Sequence, residues 1–112
     1  MTTVPQQVLG AWALTISTPI GKMAVTLDLT EQDGVLTGTA QDRHATVPLL
    51  GITTEPGPQA SSTRLTWQQA IVKPMRLNLQ FDVVVAGDTM AGFSRAGRLP
   101  RSAVHGERRA AS

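Results

Sequence analysis

Apolar and polar residues alternate along most of this chain, and that period of two constrains the fold more than any other feature of the sequence. The alternation is strictest where Met75, Leu77, Leu79, Phe81 and Val83 take one side and Arg76, Asn78, Gln80 and Asp82 the other. Successive side chains of an extended chain point to opposite faces, so such a segment is a strand with one buried and one wet face. Trp12, Leu14 and Ile16 alternate in the same way, as do Met23, Val25, Leu27 and Leu29, and then Leu65, Trp67, Gln69 and Ile71. Turn chemistry separates these runs: Thr18-Pro19-Ile20-Gly21, Asp33-Gly34, Lys73-Pro74 and Gly87-Asp88. Shorter strands are expected over 35–39, 45–50, 89–95 and 102–108, with Pro48 marking an edge or a bulge. Residues 53–62, rich in Pro, Gly and Ser, read as the one long loop. They are expected to form a mobile lid at a barrel mouth opposite Trp12. No helix longer than a turn is expected.

Gly38 and Gly92 each stand four residues beyond a tight turn, where a strand must bend for a sheet to curl, and both read as curvature rather than as a ligand's close approach. Closure also removes the exposed edges of an antiparallel sheet. The expected fold is therefore all-β: a single closed up-and-down antiparallel barrel of seven or eight strands. At 112 residues it is one domain, with a core over about 8–109 and a flexible tail at 110–112.

Composition removes whole classes of function. With 41% apolar and 16% charged residues the chain is too hydrophobic for disorder, and no apolar run reaches the ~20 residues of a spanning helix. The first residues show no basic cluster followed by an apolar stretch, so a cytoplasmic protein with no membrane partner is expected. There is no Cys, and the two histidines are far apart, so neither a thiol nucleophile nor a metal site is expected, and no cofactor. The pI of about 9.9 overstates a net charge of only +2. No Tyr or Cys titrates, and eight of the ten bases are Arg. The arginines toward the C-terminus lack the interleaved aromatics that stack bases, so nucleic acid is not an expected partner.

Gly10-Ala11-Trp12 opens the first strand, and Gly106-Glu107-Arg108 closes the last. A Gly-x-Trp at the start with a late Gly-x-Arg resembles the calycin barrels, the lipocalins and avidins. The resemblance implies that Trp12 plugs one end of the barrel and that Arg108 packs across it. Together with Thr18-Pro19-Ile20-Gly21 and Gly87-Asp88-Thr89-Met90-Ala91-Gly92, these motifs are also similar to a group of small bacterial barrel proteins. The avidin likeness extends to Asp33-Gly34-Val35-Leu36-Thr37-Gly38-Thr39. With no Tyr, and Thr18-Pro19 where a polar biotin loop would stand, it does not imply biotin binding.

The residues that carry chemistry follow from the inward face. Trp67, Gln69, Met75, Leu77, Leu79 and Phe81 alternate toward one side on two strands and are expected to line a largely apolar ligand cavity, to which Met90 and Phe93 add. Gln69 is the polar member of that face. It is either a core amide with a protein partner or a group that hydrogen-bonds a ligand. His44, in Asp42-Arg43-His44, is either part of a solvated turn or a general acid or base oriented by Asp42. His105 is expected to face outward if Arg108 turns inward.

Neither a nucleophile elbow nor a phosphate loop is present. The Arg-over-Lys bias with abundant Ala and Gly suggests an actinobacterial source, and the chain resembles the small stand-alone barrels that serve there as cyclases in polyketide and antibiotic biosynthesis. That resemblance implies a cofactor-free cyclase or isomerase that folds a hydrophobic, polyketide-like substrate in the lumen, including [4+2] closures, a Diels-Alderase. Orientation alone can lower such a barrier by several kcal/mol. The alternative is a non-catalytic, lipocalin-like binding protein for an apolar small molecule. A third reading is a solidly packed interaction module whose exposed strands pair in a homodimer.

Overall fold

The computed structural model describes residues 8–18, 21–42, 45–59, 61–71, 77–97 and 99–109. Strands β1 (Gly10–Thr18), β2 (Gly21–Gln32), β3 (Val35–Gln41), β4 (Thr46–Pro48), β5 (Leu50–Pro56), β6 (Thr63–Ile71), β7 (Leu77–Ala86), β8 (Thr89–Ala96) and β9 (Ser102–Arg108) form one antiparallel sheet. The order is β4-β3-β2-β1-β9-β8-β7-β6-β5. First and last strands pair, from Trp12 opposite Arg108 to Ser17 opposite Ala103. The two edge strands are consecutive in the chain, with Leu49 between them, and β4 lies against β6. The sheet thereby curls into a nearly closed barrel. Among the described residues there is no helix long and apolar enough to cross a membrane.

The strand count is nine rather than seven or eight, and Pro48 supplies the reason. Residues 46–56 run in one direction, but their first part pairs with β3, where Pro48 opposes Thr39, and their second with β6, where Leu50 opposes Gln68. Proline has no N–H to give a ladder, so a handover from one partner to the other is least disruptive there. Leu49 turns its side chain into the core, while its N–H bonds the Gly38 carbonyl at 2.9 Å. A register shift between Leu50 and Thr53, beside Gly51 at φ +57°, completes the bend.

Because β4 and β5 run in one direction, residues 57–62 emerge at the Trp12 end of the barrel. The expectation of a mobile lid over 53–62 at the opposite mouth is corrected accordingly. Thr53 to Pro56 belong to β5 and pair with β6. Beyond them the Gly57 N–H bonds the Ser62 carbonyl at 3.0 Å, and the buried Ser62 hydroxyl both donates to the Gln59 carbonyl and accepts from its N–H. Hydrogen bonds thus tie Gly57 and Gln59 to Ser62.

The Trp12 end is closed by one arginine. Trp12 is fully buried, and its indole N–H donates to the Val8 carbonyl at 3.0 Å. The Arg108 guanidinium lies 4.3 Å above the Trp12 ring, while its Nε donates to Asp88 Oδ1 at 2.9 Å and its Nη1 to the Leu9 carbonyl. Gly10, at φ +118°, makes room for this: a Cβ there would come within 3.1 Å of Arg108 Nη1. At Gly92 a Cβ would collide with the Asp82 carbonyl of the neighbouring strand, so that glycine serves the curl of the sheet.

On the outer face Arg64 fastens β5, β6 and β7 by donating to Asp82 through Nε at 3.0 Å and Nη2 at 2.6 Å, and to Glu55 at 3.0 Å. The hydrogen bond from Arg64 holds the Asp82 carboxyl below the ordinary carboxylate range.

Replacing Trp12 by Ala opens a cavity in a closed core and should cost about 3–5 kcal/mol in urea denaturation. The Asp82 pair contributes stability above the unfolded-state carboxylate pKa and loses it as pH falls through the lowered folded value. Melting temperatures of the wild type and Asp82→Asn should therefore differ at neutral pH and converge in acid, by a small margin because the pair is exposed.

Candidate functional site

Strands β6 and β7 build the centre of the lumen. Their register sets Leu65 opposite Val83, Trp67 opposite Phe81 and Gln69 opposite Leu79, all inward. The Trp67 and Phe81 rings stack with centroids 4.7 Å apart and planes within 5°. Trp67 is only 1% exposed, and a buried indole N–H, which can only donate, needs an acceptor. Gln69 Oε1, two residues along on the same face, provides it at 3.0 Å.

That bond fixes the carboxamide. With the oxygen committed to Trp67, the Nε2 amine turns the other way, and among the described residues nothing accepts from it. No fully buried side-chain nitrogen or oxygen of the described residues is left without a partner, so Nε2 faces space that water can reach. The Trp12 half of the barrel is filled: Val8, Trp12, Leu27, Leu65, Val85 and Met90 are at most 1% exposed. Inward positions that keep partial exposure are Met23, Ala96 and Ser102 toward the other end, Val47 and Ile52 beside the β4–β5 break, and Leu36 and Thr54 toward Trp12. No Asp, Glu, His or Lys of the described residues is buried, and no group of them could hold a metal ion. What this region offers a molecule is apolar surface, shape, the inward Ser94 and Ser102 and one oriented pair of neutral N–H donors.

Of the residues expected from sequence to form the cavity, Trp67, Gln69, Leu79 and Phe81 come together as neighbours on β6 and β7. Met90 is inward but belongs to the filled end, opposite Val85 and Gly106. Phe93 does not join them. Lying three positions after Met90, it falls on the outer face, 44% exposed, with the Arg101 guanidinium 4.3 Å from its ring centre. Leu77 opposes Ile71 in the ladder, but its side chain lies outside the described residues, as do Met75 and His44 entirely. Asp42 Oδ1 accepts from the Ala45 N–H at 2.8 Å. His105 is outward and 61% exposed, with Nε2 3.7 Å from Glu107 Oε1.

Sequence reasoning missed two features. The Trp67–Gln69 bond was foreseeable from two inward polar-bearing side chains at i and i+2. A concavity on the outer face of β6 to β8 was signalled by Phe93 occurring on the polar side of an alternating strand. No protein-family model, curated protein or solved structure matches the chain.

The pairing changes what Gln69→Leu should do. The substitution strands a buried indole N–H, and chemical denaturation should show a loss of about 1–3 kcal/mol. Had the amide been free in the unliganded protein, the change would have been near neutral.

Proposed function

We propose that this protein is a calycin-type barrel whose lumen, at the end away from Trp12, takes a largely apolar small molecule bearing a carbonyl or hydroxyl acceptor. We further propose that it acts on that molecule as a cofactor-free cyclase or isomerase. The observation that carries the reading is Gln69: a lumen carboxamide held by Trp67, with its two N–H donors aimed at accessible space and no described protein acceptor. Ring closure of a flexible polyketide-like chain, including a [4+2] closure, suits such a site. It redistributes bonds within one molecule, needs no proton shuttle, and is favoured by holding the reacting ends together in a dry cavity. An N–H donor on a carbonyl conjugated to the reacting alkene draws electron density from it and strengthens as the transition state forms. Among the described residues no Asp, Glu, His or Lys is buried, which is compatible with this chemistry. The same cavity would serve a lipocalin-like carrier, and turnover separates the two.

Trp67→Phe is the sharpest variant, because it keeps an aromatic ring against Phe81 while deleting the N–H that orients Gln69, along with the volume of one fused ring. Titration with a polyene bearing a conjugated carbonyl, and with its cyclised product, should show affinity reduced about 3–10-fold in Trp67→Phe, and turnover reduced with it. Gln69→Met should lose more of both while remaining folded. Unchanged affinity and turnover in both folded variants would remove Gln69 from the site. Binding without any turnover in the wild type would leave the carrier.

A further inference from the structure

The outer face of β6, β7 and β8 carries a concavity of about 400 Å³ that the lumen reading does not use. Its lining includes Gln68, Gln80, Asp82, Phe93, Arg95 and Arg101. The ladders explain why these side chains meet. Asp82 opposes Phe93 in one cross-strand row, and Gln68, Gln80 and Arg95 form the next, so the rows lie ~7 Å apart on one face. A volume of this size is within the ~300–1,000 Å³ of small-molecule sites.

Charge decides what fits. Asp82, the acidic residue of the groove, has both carboxylate oxygens engaged by Arg64. Arg95 and Arg101 have no carboxylate partner among the described residues. Continuing the β8–β9 register one step beyond Ser94 opposite Ser102 sets these two arginines against each other, where like charges repel unless an anion intervenes. Each is nonetheless anchored: Arg95 Nε donates to the Leu99 carbonyl at 3.2 Å, and Arg101 lies on the Phe93 ring. A guanidinium carries five N–H donors, and these anchors use few of them.

We infer that this groove binds an organic oxyanion, its carboxylate or phosphate head held between Arg95 and Arg101 and its flat apolar body laid against Phe93, with the Gln68 and Gln80 carboxamides bonding its polar edge. The groove opens on the face opposite the lumen, with Trp67 and Phe81 bordering both, and its ligand is distinct from the one proposed for the lumen.

Calorimetric titration, with amide chemical shifts as locator, tests this using 2-naphthoate, 2-naphthyl phosphate and the neutral 2-naphthamide. At least one oxyanion should bind at millimolar concentration or below and shift the Gly51 amide and the Phe93 ring, with the amide at least tenfold weaker. Whichever oxyanion binds tighter identifies the head group. Arg95→Gln and Arg101→Gln, both exposed positions, should each weaken binding about tenfold or more, and rising salt should weaken it further. Gln69→Met, at a residue that does not line the groove, should weaken binding less than twofold. Equal binding of 2-naphthamide, undiminished binding in the Arg95→Gln/Arg101→Gln double variant, or no binding of either oxyanion would each overturn the assignment.

Discussion

Everything in this barrel hangs on a contact between its two ends. In a meander each strand pairs with its sequence neighbour at little entropic cost, and the seam joining first strand to last is the expensive one. Arg108 and Leu9, 99 residues apart, meet at that seam. One guanidinium reaches the Leu9 carbonyl, the Asp88 carboxylate in the β7–β8 turn and the face of Trp12. A lysine would supply charge but not the planar fork that bonds at its edge while stacking by its face. Removing the Trp12 ring would take away the surface on which the arginine lies, and removing the arginine would uncap the plugged end. The resemblance motif Gly-x-Trp is therefore a mechanical unit, with the glycine as clearance for the arginine.

A second constraint decides where the barrel is weakest. The chain hands over from β3 to β6 at Pro48 and Leu49, so closure on that side rests on covalent continuity rather than on a full ladder. Val47 and Ile52, inward residues flanking the handover, keep partial exposure. At the Trp12 end Val8, Trp12, Leu27 and Met90 are sealed, while Leu9 and Leu36 pack against them only half-buried.

The class of fold was legible because period-two alternation is a local property of each segment, and the inward positions of β1, β2, β6 and β7 match it residue by residue. What was not legible was non-local. Whether 46–56 is one strand or two depends on which partners flank it, and that choice also set the end at which 57–62 emerges. A run of Thr, Glu, Pro and Gly reads as loop from composition, yet Thr53 and Thr54 pair with Thr66 and Leu65. The candidate site was half legible. Parity correctly grouped Trp67, Gln69, Leu79 and Phe81, and the same rule, applied to Met90 and Phe93, would have put them on opposite faces. Hydrophobic character suggested a common cavity where spacing forbade it.

The two tryptophans solve the same problem in different ways. Both rings are buried and each must find an acceptor for its N–H. Trp12 uses a backbone carbonyl, Val8, which leaves no further group to satisfy. Trp67 uses a carboxamide, which answers the indole with its oxygen but brings a second polar end, Nε2, into an apolar lumen. A fully buried donor without an acceptor would carry a penalty of about 1–3 kcal/mol, which Nε2 escapes because water can reach it. Among the described residues no protein group accepts from it. Water can take that place in the empty barrel. A ligand carbonyl would take it with the orientation already set by the indole, so that binding need not order the amide first.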